Sequence, residues 1–192
     1  MRPGFGEPVF DSHRVFRGVL DAMSEPGRVL TVEAPPPAPA PLHPATVAIA
    51  LALFDLETPL WLDGAARTPE AVAHLRFHCG CPIVDEPARA RFAIIADPRL
   101  MPEIDAFDAG TDEYPDRSAT VIVQAGTLGA GSGTRLSGPG IATEAWLEVT
   151  GLPARFWDGL RTNHGRFPRG VDVLLTAGAS LAALPRTTWV EG

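Results

Sequence analysis

Apolar positions along the chain recur at two spacings, and the alternation between them predicts a series of helices and strands. "DSHRVFRGVLDAM" (residues 11–23) places Val15, Phe16, Val19, Leu20 and Met23 on one helical face, with Asp11 or Ser12 as the cap. "SEPG" stops that helix, and "RVLTV" (28–32) reads as a strand. Residues 35–41, "PPPAPAP", form a stiff extended link within the domain. The apolar run 45–54 predicts a buried helix, "TPLWL" a short strand, and "RTPEAVAHLRFH" (67–78) a helix capped by Thr68 with Pro69 at its first position. "RFAIIAD" (91–97) predicts a buried strand and "PRLMPEIDAF" (98–107) a helix of weaker pattern. Further strands are expected at 118–128, 134–140 and 171–178, a helix through Leu152, Phe156, Trp157 and Leu160, and an extended end at "LPRTTWV". Strands alternating with helices, plus a hairpin, predict an α/β fold with a mixed sheet, in one domain spanning 1–192.

Composition adds three constraints. At 192 residues the chain suffices for one substantial core, and its formal charge of −7 without a basic run argues against a nucleic-acid partner. All 16 basic residues are arginine. Without lysine the chain cannot form a Schiff base with pyridoxal phosphate or build a Walker-type phosphate loop. "MRPGFGEPVF" lacks the apolar stretch of a secretory signal, and the run 45–54 is half the length of a membrane span, so a cytoplasmic location is expected.

The candidate chemistry is sparse. "GTLGAGSGTRLSGPG" (126–140) holds six glycines, but Gly129, Gly131 and Gly133 miss the dinucleotide spacing, and extended residues follow where a helix is required. The expected role is a hairpin connection between strands 118–128 and 134–140. "HLRFHCGC" brings His74, His78, Cys79 and Cys81 together, a donor set zinc accepts, although thiols one residue apart depart from the usual spacing. Ser132 lies outside a nucleophile elbow, and residues 105–116 read as a solvated acidic loop. Arg17, Arg76 and Arg186 each neighbour an apolar anchor. With His78 they are the candidate contacts to an anion or to a partner subunit; no catalytic residue, metal or cofactor is assigned. Trp61, Trp146, Trp157 and Trp189 are expected in the core or at an interface.

The stretches "FRGVLDAMSEPG", "LRFH", "CPIVDEPARARFAI", "GTDEYPDRSATVIVQ", "LSGPGI", "FPRGVDVLLT" and "LPRTTWV" follow one another over nearly the whole chain. In this they resemble one family, the H subunit (PhnH) of the bacterial carbon–phosphorus lyase system. The resemblance implies a three-layer fold with a mixed sheet between helices, similar to pyridoxal-phosphate-dependent transferases but without the cofactor. It implies a homodimer that also joins G, I and J subunits, in an assembly that displaces adenine from ATP with an alkylphosphonate. In that family the nucleosidase activity is attributed chiefly to the I subunit, so the resemblance implies an accessory part and transfers no catalytic residue. His13 stands where the family pattern has glutamine, and Cys79 and Cys81 stand where it has no cysteine.

Overall fold

The computed structural model describes residues 2–33 and 35–191. Among these residues ten strands and four α-helices follow in order: α1 (Pro8–Ser24), β1 (Leu30–Thr31), α2 (Pro44–Leu53), β2 (Leu60–Leu62), α3 (Pro69–Cys79), β3 (Ile83–Val84), β4 (Phe92–Ile95), β5 (Thr120–Gln124), β6 (Leu128–Ser137), β7 (Ala145–Val149), α4 (Ala154–His164), β8 (Asp172–Ala177), β9 (Ser180–Leu184) and β10 (Trp189–Glu191). Seven strands form one sheet in the order β1-β9-β8-β5-β4-β2-β3, and β10-β6-β7 form a second. From β3 to β8 the strands run parallel; β9 returns antiparallel beside β8, and β1 pairs antiparallel with β9.

Strand alternation divides the interior between two faces. Ile94, Ile122, Leu174 and Leu181 point toward α1, α2 and α3. Ala93, Ile95, Val121, Val123, Val173 and Leu175 point the other way, onto Phe156 and Leu160 of α4 and onto Leu136, Leu147 and Val190 of the second sheet. Helices therefore cover one face, whereas α4 and a small antiparallel sheet share the other. The mixed α/β class agrees with expectation; the second sheet is a finding of the structure.

Local signals place α3 with little ambiguity. The Thr68 hydroxyl accepts from the Ala71 amide at 3.2 Å, Pro69 occupies the first turn, and Gly80 ends the helix in the left-handed region at φ 69°. The start of α1 differs from expectation. It begins at Pro8, and Asp11, inside the first turn, accepts from the Glu7 amide at 2.9 Å instead of capping. Its buried side is Val15, Val19 and Ala22, while Phe16 and Leu20 turn outward, 44% and 41% exposed. The apolar arc of α1 is wider than the core that receives it, and small Ala22 sets the side that packs closely. Residues 98–107 form two 3-10 turns, Pro98–Leu100 and Ile104–Ala106, because Pro102 interrupts the helical pattern. The Pro-rich link is tied down by Gln124, whose side-chain amide donates to the Pro41 carbonyl at 3.1 Å and whose oxygen accepts from the His43 amide.

The glycine run is not a connection between two strands. Residues 128–137 are one strand, β6, and Ala130 and Thr134 both register with Leu147 of β7. Residues 131–133 bulge out between them, with Gly131 and Gly133 at φ 89° and 94°. A Cβ on Gly133 would lie 2.5 Å from the Leu147 carbonyl oxygen, so close backbone approach requires glycine there. Ser132, at the apex, donates to Glu148 at 2.7 Å.

Candidate functional site

The outer side of α1 carries the largest concentration of unusual surface. Val9 is 78% and Phe10 67% exposed, and Val9, His13, Phe16 and Leu20 follow one another at spacings of four, three and four residues. That spacing forms a seam of the kind one helix offers another. Beside the seam, a groove of about 420 Å³ runs between α1 and the edge strand β1, lined by His13, Arg14, Arg17, Asp21, Thr31 and Glu33 among others. Arg14 is held by Asp11. Arg17 makes no ion pair with another described residue, so its guanidinium is available to an anionic group or to a partner's carboxylate. The sequence pointed to Arg17. It gave no sign of Glu33, which only the packing of β1 beside α1 brings into the same groove.

The other candidate residues lie apart from this groove. Arg186 is 13% exposed and Asp172 17% exposed in their side chains, and the two meet at 2.6 Å. Its guanidinium also donates to the Pro115 carbonyl at 2.6 Å and to the Ser118 hydroxyl at 2.5 Å. Four side-chain hydrogen bonds thus take four of its five N–H donors, and Arg186 ties the start of β8 to the turn at Pro115–Arg117. Arg76, in the last turn of α3, is exposed and lends its charge to Cys81. Cys81 beside it and burial push the Cys79 thiol up, whereas the neighbouring Cys79 and, to a smaller degree, the Arg76 charge lower Cys81.

His78 bonds the backbone of the N-terminal arm, its Nε2 donating to the Arg2 carbonyl at 3.1 Å. Its ring lies 4.4 Å from that of His74, centroid to centroid. Cys79 donates to the Ala50 carbonyl at 3.6 Å. Among the described residues, no three metal-capable side chains converge, so "HLRFHCGC" is a helix end whose donors are turned to separate tasks. Trp146 and Trp189 are 39% and 43% exposed and belong to the surface of the second sheet. No described helix is long and apolar enough to cross a membrane.

His74 is fully buried, and burial, with the nearby His78 charge second, lowers its pKa below the ordinary value of 6.5. The half-buried His43 is lowered too, mainly by burial. The unfolded chain therefore takes up protons near pH 6.5 that the folded chain refuses, so stability is lost as pH falls through that point. Melting temperature is expected to drop between about pH 7.5 and about pH 5.5, and to drop less in His74→Leu. Equal slopes in both proteins would show that His74 is not responsible.

Comparison with known proteins places this architecture. The family model described as bacterial phosphonate metabolism protein (PhnH) matches residues 3–191. The chain is 40% identical over 190 residues to the PhnH subunit of alpha-D-ribose 1-methylphosphonate 5-triphosphate synthase of Rhizobium meliloti (strain 1021), covering 97% of this chain and 94% of that protein. It is also 39% identical over 82 residues to HtxG of Stutzerimonas stutzeri, named as a C-P lyase subunit, covering 43% of this chain and 42% of that one. An alignment that runs from the N-terminal arm through β10 takes in both sheets and all four helices, and by it this chain belongs to the PhnH family of bacterial phosphonate metabolism proteins.

Proposed function

We propose that this chain is the H subunit of a carbon–phosphorus lyase core complex and serves it as an accessory, assembling part. The complex forms alpha-D-ribose 1-methylphosphonate 5-triphosphate from ATP and methylphosphonate with release of adenine. The observation that carries this reading is the end-to-end match to a subunit of the synthase that bears that product's name. The surface of α1 supports an assembling role, since Val9, Phe10, Phe16 and Leu20 expose apolar area that a partner subunit would remove from water. On this reading the partners are G, I and J subunits, with a homodimer when the chain is alone, in the cytoplasm. One folding unit is expected, related in layout to the transferases that use pyridoxal phosphate but with no lysine to hold that group.

The test is reconstitution with and without this chain, scoring adenine release from ATP and methylphosphonate. The double variant Phe16→Glu/Leu20→Glu is expected to melt like the parent yet fail to co-purify with its partners. Adenine release should then fall roughly tenfold or more, as loss of central apolar contacts at an interface implies. A complex that assembles and releases adenine at full rate without this chain would overturn the reading. A second reading, direct anion binding, is favoured by Arg17 in the α1–β1 groove. It requires that the isolated chain bind ATP or methylphosphonate in calorimetry and lose that binding in Arg17→Ala.

A further inference from the structure

The seven-stranded sheet ends on β1, and the outer edge of that strand is open. Val32 donates its amide to the Ala179 carbonyl at 2.8 Å and Leu30 registers with Leu181, so both turn their backbone groups toward β9. Thr31, between them, turns its amide and carbonyl outward, and among the described residues neither group has a backbone partner. An unpaired strand edge of this kind is a template for another extended chain.

The groove of about 420 Å³ beside that edge gives such a chain room for its side chains. Leu30, Val32 and Leu181 supply an apolar floor, and α1 is the wall. The wall is open at Gly18. Glycine is the poorest helix former after proline, yet this one lies in the interior of α1, and a Cβ on it would meet nothing within 4 Å. No contact among the described residues requires its smallness; a chain lying close against α1 does.

Charge gives that chain a direction. Arg17 and Asp21 line the same wall four residues apart, and neither is ion-paired with any described residue. Four residues of helix rise about 6 Å, close to the roughly 6.7 Å between alternate side chains of a strand. An acidic residue followed two places on by a basic one therefore meets Arg17 and Asp21 in turn, in a segment running parallel to α1. Because β1 returns along α1 after the turn at 25–28, the same segment runs antiparallel to β1, the sense in which a ladder is slightly more stable.

We propose that the groove between α1 and β1 takes an extended segment of a partner polypeptide, added to β1 as a further strand, with an acid-x-base pair on Arg17 and Asp21. The inference rests on the assembly reading for the origin of that segment, but its test uses the isolated chain and is decided whether or not a complex forms. Calorimetry of the full chain with the peptide acetyl-Thr-Val-Asp-Val-Arg-Val-Thr-amide tests it, against the same peptide with Asp and Arg exchanged and against inorganic phosphate. The first peptide is expected to bind roughly tenfold or more tightly than the exchanged one, which sets like charges together. It should also slow hydrogen exchange of the Thr31 amide by about tenfold or more. Gly18→Leu should melt no lower than the parent, since leucine is the better helix former, yet lose the peptide. Arg17→Gln should weaken the peptide by about tenfold. No binding of the first peptide at millimolar concentration overturns the proposal. So does equal binding of the exchanged peptide, or affinity that survives both substitutions. Phosphate bound through Arg17 with Thr31 exchange unchanged would make the groove an anion site, and Thr31 protected by self-association of the chain would make a second copy the occupant; either result overturns the proposal.

Discussion

Gly140→Ala is expected to destabilise the fold by about 3 kcal/mol, from the cost of left-handed backbone on a side-chain-bearing residue together with overpacking. Gly140 sits at φ 84°, and a Cβ there would lie 2.1 Å from the Ser24 carbonyl oxygen and 2.9 Å from Pro26 Cδ. The nearest obstacle is backbone, so no flexible side chain can move aside. The "SEPG" turn after α1 and the "SGPG" turn after β6 pack against each other here, and the contact holds the second sheet against the end of α1. Gly131 is the internal control: its φ is 89°, but a Cβ there meets nothing within 4 Å. Gly131→Ala should cost only the backbone part, about 1 kcal/mol. In thermal melts Gly140→Ala should fall by roughly 6–12 °C for a chain of this size, and Gly131→Ala by a third of that. Equal losses in the two variants would show that contact with Ser24 contributes nothing.

Arg186→Met should cost about 2 kcal/mol, less than the roughly 3–5 kcal/mol of breaking a fully buried ion pair, because both side chains keep some access to water. Asp172 would retain only the Arg186 amide, at 2.9 Å, and the Pro115 carbonyl and Ser118 hydroxyl would lose a shared donor. Asp172→Leu alone should be comparably harmful, because it strands the guanidinium. The double variant should lose less than the sum of the two, since no unpaired charge remains. Strictly additive losses, or a single-variant loss under about 1 kcal/mol, would contradict a coupled, partly buried pair. The same experiment bears on ligand contact at Arg186: unchanged melting together with lost ligand binding would make it a binding residue after all.

Sequence alone was informative wherever the governing contact is short in range. Thr68, Pro69 and Glu70 sit within one turn of α3, and the structure keeps each in its expected place. Continuous apolar runs at 92–95, 120–124 and 172–177 announced the parallel strands buried on both faces. "SLAAL", in contrast, had no strand assigned to it. It is β9, whose register with β8 depends on a turn through Gly178 and on Leu181 and Ala182 facing opposite sides of the sheet.

The ordered family segments, spread from α1 to β10, likewise needed no structure, since order along the chain is itself the information. What the tertiary structure decided were matters of distance along the chain. Whether the glycines turn a hairpin or bulge a strand depended on Leu147 coming to lie opposite both Ala130 and Thr134. Whether Arg186 is open to a ligand depended on Asp172, Pro115 and Ser118, the last two some 70 residues away in sequence. The Arg2 carbonyl meets His78 of α3 across 76 residues, a contact no helical period encodes. Propensity and capping act within one helical turn or one strand, so they are written in adjacent letters. The partner of a guanidinium and the walls of a cavity follow only after burial of the two core faces has brought distant segments together.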